Sequence, residues 1–393
     1  MKSVLFLTDS YFPKKNPQAI LLRNVLFHLS KDKRFNVHLA TSTNLEKKKL
    51  NFKYKLINFR LNKFWQFVNY LPFFSRFNFI SYKYKKQLFE LKNYIKKHKI
   101  NLIVSYSNPY LLNIFSHILS NKLKIKNIIH YSDPIINTIY KIFIFKNKEL
   151  INKNLEKKIL TDADHIVINN KVMANFIYKN QNKTFLNKTS IIPHSFFEND
   201  YKKKQNKPDN KKIQYFGALN KIRNPIEFIK IFINLKKNNK ISKYMELHFF
   251  SNLDQYMKKI AINYKNLHIK NKIFFHKSIS YKDSIKEMFK SFMLLAIDAK
   301  GYENIYLTTK IIQYLRIKKP VLNVTQINSP NFKLGVIANF FFLNVNDKKL
   351  LEANLTHYLN KYSKFKPNKK IIKKYESKNI SKMWKKLILD QFR

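Results

Sequence analysis

Short apolar runs alternate with stretches of helical periodicity along most of the chain. Parallel strands need a crossover connection, usually a helix, so this alternation predicts parallel sheets. The pattern begins at Val4–Thr8 and begins again at Ile213–Phe216. We therefore predict an α/β protein with two doubly wound, Rossmann-like domains. Ligands of such sheets bind beyond the carboxyl ends of the strands, so the functional loops should face a cleft between the domains. Further strands are predicted at His165–Ile168, Glu246–Phe250 and Met293–Ile297, and a short helix at Ile311–Arg316.

The length of 393 residues exceeds what one hydrophobic core usually holds, which indicates two domains of about 200 residues each. A polar, lysine-rich segment that contains Pro208 interrupts the pattern and is the predicted linker. We place the first domain at 1–200, the linker at 201–212 and the second domain at 213–370. The last segment, 371–393, is amphipathic and basic and carries Trp384.

Gly217 is one of three glycines in the chain, and it ends an apolar run just before a short basic loop and a helical stretch. This order of strand, tight turn and helix is where α/β folds bind phosphates, because glycine permits close approach and the helix offers free amides. Lys221 and Arg223 add positive charge, and the planar guanidinium of Arg223 suits a diphosphate. The same segment also fits an ordinary connection between a strand and a helix.

Several classes of site are excluded or disfavoured by composition. The chain has no cysteine, which excludes disulfides and cysteine nucleophiles and suits a reducing compartment. The apolar run before Asp9 is too short for a secretory signal. The sequence contains no run of about 18 apolar residues, so no membrane-spanning helix is predicted. Asp162 and Asp164 resemble a metal-binding pair, but their place before a strand is typical of a turn or cap. We expect no metal cofactor.

The charge is extreme, with 77 Lys and Arg against 23 Asp and Glu, a formal net charge of +54. Part of this excess reflects a coding bias toward lysine, and the rest should attract polyanions or an anionic membrane. Residues 62–86 crowd aromatic side chains beside cations, as at a membrane interface. A helix and loop packed inside the first domain is the alternative. We recognise no nucleic-acid-binding signature. The candidate membrane residues are Trp65, Phe67, Phe73, Phe74 and Arg76.

Three segments carry a resemblance to a known family: Ile191–Phe196, Tyr215–Pro225 and Thr309–Val321. In this order and at these distances they resemble the family 4-like retaining glycosyltransferases of the GT-B fold. Landmarks of that family's acceptor domain have counterparts in the first half, so the similarity spans nearly the whole chain. They are Thr8–Pro13 with Gln18, Tyr131–Pro134 and Leu160–Val167. The resemblance also implies that the terminal helix crosses back onto the first domain.

The resemblance implies that the second domain binds a nucleotide-sugar donor, with the diphosphate at the start of the helix near Leu307. Thr308 or Thr309 can cap that helix and leave backbone amides for phosphate oxygens. Arg223 and Lys310 would stabilise the departing nucleoside diphosphate, with no protein nucleophile and no metal. A solvated lysine is the alternative for Lys310. The expected donor-binding residues are Gly217, Lys221, Arg223, Glu303, Leu307, Thr308, Thr309, Lys310 and Gln313.

The chain departs from the family pattern at two positions that usually hold glutamate. One is Gln313, which can still bond a ribose hydroxyl but without charge assistance. The other is Ile305, which cannot replace an acid, and Glu303 is the nearest carboxylate in the sequence. In the first domain, Lys14–Pro17 stand where the family has glycines. An inactive relative is therefore an alternative to an active enzyme.

Asp133, which precedes a proline at a strand end, is the acidic candidate for orienting the acceptor. His130 and His194 lie near predicted strand ends and could touch a ligand, although a structural role is equally consistent. Pro13 and Gln18 belong to the acceptor landmark. The catalytic candidates are thus Asp133, Arg223 and Lys310.

The sequence as a whole predicts a retaining glycosyltransferase that moves a sugar from a nucleoside diphosphate to a lipid-linked surface glycan of polysaccharide, O-antigen or capsule type. We expect it in the cytoplasm, peripheral on the inner face of the cell membrane. Its partners would be the nucleotide sugar, the glycan acceptor and anionic lipid, with no specific nucleic acid. The alternative is a non-enzymatic GT-B scaffold that binds anionic membrane or other polyanions.

Overall fold

The computed structural model describes residues 1–12, 17–45, 51–59, 76–106, 110–135, 146–181, 183–201, 211–263, 272–299, 304–344, 346–360 and 362–393. The chain divides into two compact units. Unit 1 comprises Met1–His194 and Ser377–Arg393, and unit 2 comprises Ser195–Glu376.

Unit 1 is built on a seven-stranded sheet in the order β3-β2-β1-β4-β5-β6-β7, in which every pairing is parallel. Its central strands are buried on both faces, as expected when helices cover a parallel sheet. The strands are β1 Lys2–Thr8, β2 Phe35–Thr41, β3 Lys53–Leu56, β4 Leu102–Tyr106, β5 Lys126–Tyr131, β6 His165–Ile168 and β7 Thr189–Ile191. The helices are α1 Pro17–Leu29, α2 Arg76–Lys83, α3 Lys85–Lys97, α4 Leu111–Leu123, α5 Lys146–Asp162 and α6 Lys171–Asn180.

Unit 2 has a six-stranded parallel sheet in the order β10-β9-β8-β11-β12-β13. The strands are β8 Lys212–Phe216, β9 Glu246–Phe250, β10 Ile273–His276, β11 Met293–Ile297, β12 Val321–Thr325 and β13 Phe341–Asn344. The helices are α7 Ile226–Lys237, α8 Gln255–Asn263, α9 Tyr281–Lys290, α10 Thr309–Ile317, α11 Pro330–Ile337, α12 Lys348–Asn360 and α13 Lys369–Lys374. The strand order reverses between β8 and β11, which is the switch point where doubly wound sheets bind ligands.

The helix predicted at Ile311 begins two residues earlier, at Thr309. Thr309 and Lys310, which precede the predicted start, therefore lie in the first turn of α10. Polar residues that open a helix lie outside its apolar periodicity, which is why the pattern placed the start too late.

The last helix, α14 Ser377–Asp390, belongs to unit 1 and packs against α1. Trp384 is 2% exposed, and its ring meets Phe6 of β1 edge-on at a centroid distance of 6.4 Å. Ile380 and Ile388 are buried on the same face of the helix. The predicted return of the terminal helix to the first domain is confirmed. None of the helices in the described ranges combines the length and the apolar character needed to cross a membrane.

Candidate functional site

The candidate site lies at the switch point of unit 2, where the loops that follow β8 and β11 leave the same edge of the sheet. Gly217 follows β8 directly, and α10 follows the loop after β11. Tyr314 of α10 holds these parts together, because its hydroxyl donates to the Leu295 carbonyl at 3.2 Å and accepts from the Phe216 amide at 3.3 Å. The helix α10 is thereby held against β8 and β11.

The turn after β8 is folded tightly against Tyr215. Gly217 has a φ of 157°, and a Cβ built on it would lie 2.9 Å from the Tyr215 hydroxyl. That hydroxyl donates to the Ala218 carbonyl at 3.0 Å. The turn therefore has no room for a side chain at Gly217 unless Tyr215 moves.

We expect Gly217→Ala to destabilise the protein by about 1–2 kcal/mol, because the new methyl group meets the Tyr215 hydroxyl in a conformation that only glycine adopts easily. Tyr215→Phe should relieve part of the collision, so the two changes should be non-additive by about 0.5 kcal/mol or more. Urea denaturation of the two single variants and the double variant measures this coupling. Strict additivity would show that the close approach is not present in solution.

Arg223 is held in a compact turn by Asn220, whose Oδ1 accepts from the Ile222 amide at 3.1 Å and from the Arg223 amide at 2.7 Å. The Arg223 side chain lies close enough to the Tyr215 hydroxyl for its charge to act on the pKa of that group. The Arg223 Nε is buried and has no hydrogen-bond partner among the described residues. Burial raises the pKa of Tyr215 to about 12, with the Arg223 charge acting in the opposite direction. Lys221, in the same turn, is exposed.

Thr308 occupies the N-cap position of α10, but its hydroxyl does not cap the helix. Both its amide and its Oγ1 donate to Asn331 Oδ1, at 3.0 Å and 3.3 Å. The amide of Thr308 is therefore not available to a ligand. In the described part of the chain the amides of Thr309 and Lys310 have no acceptor, as is usual in the first turn of a helix.

Lys310 and Gln313 lie one turn apart on α10 and both present polar atoms without partners. Lys310 is partly buried and forms no ion pair with any described residue. Burial lowers the pKa of Lys310 to about 8. Gln313 is 7% exposed, and its Oε1 has no hydrogen-bond partner within the described ranges. A buried acceptor without a donor is uncommon in proteins, and Gln313 Oε1 could accept a hydrogen bond from a hydroxyl or amide.

Sequence reasoning missed three buried residues that support this site: Tyr215, Asp298 and Asn331. Asp298 follows β11, and its Oδ2 accepts from Thr325 Oγ1 at 2.7 Å. Its carboxylate acts on the pKa of Tyr215, which places it near the Arg223 turn. The first polar residue after a central strand was the available signal for Asp298.

Other expected donor residues are placed as follows. Leu307 is buried in the unit 2 core with Ile311 and Ile312, so only its backbone can face a ligand. Ile305 is also buried, at 1% exposure. Glu303 lies outside the described residues. So do Pro13, Trp65, Phe67, Phe73 and Phe74, and Arg76 is the first residue of α2.

Among the unit 1 candidates, His130 and Asp133 lie at the carboxyl end of β5, His194 follows β7, and Gln18 lies in the first turn of α1. The His130 ring stacks on Tyr106 at a centroid distance of 4.0 Å, and Nε2 of His194 lies 3.2 Å from Asn169 Nδ2. Burial lowers the pKa of His130 to about 3 and that of His194 to about 4. Both rings are therefore neutral at physiological pH. Asp133 and Gln18 are partly exposed, and their roles toward an acceptor stay predictions.

The two buried histidines make the stability of unit 1 depend on pH. Below about pH 6.5 these two histidines are protonated in the unfolded chain. In the folded protein they stay neutral until the pH falls to about 4 or below. Each histidine should therefore reduce the free energy of unfolding by about 1.4 kcal/mol per pH unit between roughly pH 6 and pH 4.5. Denaturation of His130→Phe should show a correspondingly shallower slope over this interval. An unchanged slope would contradict a neutral, buried His130.

No protein-family model and no curated protein sequence matches the chain. Solved structures match it over its length. HepE from Anabaena, solved with UDP and glucose, has a TM-score of 0.64 at 12% identity, covering 100% of this chain and 97% of its own. Sucrose-phosphate synthase from Thermosynechococcus elongatus has a TM-score of 0.67 at 12% identity, with 100% and 98% covered. The UDP-GlcNAc 2-epimerase from Methanocaldococcus jannaschii has a TM-score of 0.57 at 14% identity, with 99% and 100% covered.

At these identities the likeness establishes the fold. The chain has the GT-B fold, with two parallel-sheet α/β domains of seven and six strands, and the predicted fold class is confirmed.

Proposed function

We propose that unit 2 binds the nucleoside diphosphate of a nucleotide sugar and that the protein is a glycosyltransferase. The observation that carries the proposal is a set of three polar groups without partners among the described residues, on the turn after β8 and on α10, two elements that Tyr314 joins. They are Arg223 Nε, the Lys310 ammonium and Gln313 Oε1. Two cations and a hydrogen-bond acceptor match a diphosphate next to a ribose. UDP in HepE supports this choice of ligand.

In the proposed complex the diphosphate lies at the start of α10, where the amides of Thr309 and Lys310 and the helix dipole favour an anion. Arg223 and Lys310 neutralise the charge that grows on the diphosphate as the sugar bond breaks, which stabilises the transition state. Gln313 Oε1 accepts a hydrogen bond from a ribose hydroxyl. Asn220 Oδ1 holds the turn that carries Arg223.

The finer parts of the proposal rest on the sequence resemblance and on charge. They are a retaining, metal-independent mechanism of the family 4 type, with Asp133 on the acceptor side. The acceptor would be a lipid-linked glycan, and the protein would work on the inner face of the cell membrane, where a net charge of +54 favours anionic lipid.

A second candidate function is a GT-B scaffold with weak or no catalysis. Ile305 favours it, because this buried apolar side chain stands where the resemblance implies a glutamate. Calorimetry with UDP and GDP, followed by turnover assays with nucleotide sugars and separation of the products, distinguishes the candidates. Binding with transfer supports the enzyme, and binding without turnover supports the scaffold. Failure of the folded protein to bind either nucleotide would contradict the nucleotide site of unit 2 and would favour a scaffold that binds anionic membrane or other polyanions.

Nucleotide binding should depend on pH through Lys310. Its pKa is about 8 in the free protein, and a bound diphosphate must raise that pKa, so binding favours the protonated form. Affinity should be constant below pH 8 and should fall up to about tenfold per pH unit as pH rises above it. Titrations between about pH 7 and pH 9.5 test this, and Lys310→Arg, which stays charged, should remove the dependence. If the affinity of Lys310→Arg fell in the same way with rising pH, the pH dependence would belong to another group.

A further inference from the structure

An open cavity of about 270 Å³ lies on unit 1. It is formed by the outer face of α14 and by the turn that leads into β2. Its lining consists of Arg34, Lys382, Lys385, Lys386, Leu389, Asp390 and Arg393.

The amphipathic sequence of α14 produces this basic face. Trp384, Leu387 and Ile388 are buried against unit 1, which turns Lys382 and Lys386 outward, one helical turn apart. Both lysines are exposed, so neither is needed for the packing of the helix.

The acids near the cavity are already engaged. Arg34 donates two hydrogen bonds to Asp32, from Nε to Oδ1 at 2.9 Å and from Nη2 to Oδ2 at 2.8 Å. Lys385 Nζ lies 2.9 Å from Asp32 Oδ2. These bonds hold the pKa of Asp32 well below its usual range, so the acid stays ionised and keeps both cations in place. Arg393 pairs with Asp390 at 3.4 Å. Lys382 and Lys386 have no acidic partner in the described part of the chain.

Among the described residues, five cations thus line a small cavity to which one acidic side chain, Asp390, contributes, and the neighbouring Asp32 is already paired with Arg34 and Lys385. A compact anion would relieve this excess. The apolar side chains beside the cations indicate which kind of anion fits. Leu389 lines the cavity, and Met383 is 39% exposed on the same helix. Cations next to apolar groups suit a lipid phosphate, whose charge adjoins glycerol and acyl carbons.

We propose that this cavity binds the phosphate headgroup of an anionic phospholipid. This site would give the proposed membrane association a specific place on the protein. The inference rests on the proposed function only through that membrane association. A polynucleotide fits less well, since the described cations enclose a cavity rather than a continuous stripe and no aromatic ring lines it for base stacking.

The test compares binding to phosphatidylcholine vesicles with and without phosphatidylglycerol. The variant is Lys382→Ala with Lys386→Ala, and the matched control is Lys369→Ala with Lys370→Ala, two exposed lysines of α13 in unit 2. We expect the first pair to weaken binding to the anionic vesicles by about 30-fold, roughly fivefold per lysine, and the control pair to change it little. Binding should also weaken with salt.

Equal losses in the two double variants would assign binding to diffuse charge and overturn the proposal. So would failure of the unaltered protein to bind anionic vesicles, or an effect of Lys382→Ala and Lys386→Ala on single-stranded RNA but not on vesicles. Binding of free glycerol phosphate without vesicle binding would overturn the lipid assignment. UDP calorimetry on the same variant should be unchanged, which separates failure of this site from failure of the nucleotide site.

Discussion

Replacing Arg223 by alanine should lower kcat/KM for the nucleotide sugar by about 10²–10³-fold, the usual effect of removing one donor that stabilises a developing anion. The buried Nε of Arg223 has no described partner, and Asn220 Oδ1 holds the Arg223 amide, so the residue is positioned before the ligand arrives. Arg223→Lys should recover only part of the activity, because an ammonium cannot make two parallel hydrogen bonds. Steady-state kinetics with the donor varied gives the comparison.

Lys221→Ala is the matched control for Arg223→Ala. Lys221 lies in the same turn and has the same charge, but its side chain is exposed. We expect less than a threefold change, within what a solvent-screened charge contributes. Similar losses in Lys221→Ala and Arg223→Ala would mean that the turn contributes only general positive charge.

The second large effect is expected for Lys310→Ala, which should reduce kcat/KM by about 10²-fold. Lys310 lies in the first turn of α10, where its charge adds to the helix dipole and to the unbonded amides. Because its pKa is already lowered to about 8 by burial, the variant should fold at least as stably as the unaltered protein at pH 8. Thermal unfolding at this pH checks that the loss of activity is not a loss of fold.

Lys333→Ala, an exposed lysine of α11 in the same unit, controls for the loss of one charge and should leave the kinetics unchanged. If Lys310→Ala raised KM and left kcat unchanged, Lys310 would contribute to ground-state binding alone. If it changed neither parameter, Lys310 would be a solvated helix residue with no part in the reaction.

The strands of the central sheets could be predicted because a buried parallel strand is a nearly continuous apolar run. His165–Ile168, Glu246–Phe250 and Met293–Ile297 occur with the predicted bounds. β3, Lys53–Leu56, gave no such signal, because this edge strand is exposed or only partly buried and alternates lysine with apolar residues. Its assignment depends on pairing with β2, which no local pattern contains.

The candidate site was predictable only in part, for a similar reason. Arg223 and Gln313 stand within recognisable motifs, so the sequence identified them. The supporting residues depend on tertiary contacts, since Asp298 reaches the Arg223 turn only because β11 pairs with β8. Likewise, the Thr308 hydroxyl bonds to Asn331 instead of capping α10 as expected. Asn331 lies on a separate helix, so no local pattern contains this bond.

A crystal structure with a bound nucleoside diphosphate tests the central claim most directly, and UDP is the first ligand to use. We predict that the diphosphate lies between the Arg223 guanidinium and the first turn of α10. Lys310 Nζ and the Thr309 amide should be within hydrogen-bond distance of its oxygens, and Gln313 Oε1 should accept from the ribose. A diphosphate bound elsewhere on the protein, with Arg223 and Lys310 unoccupied, would contradict the account.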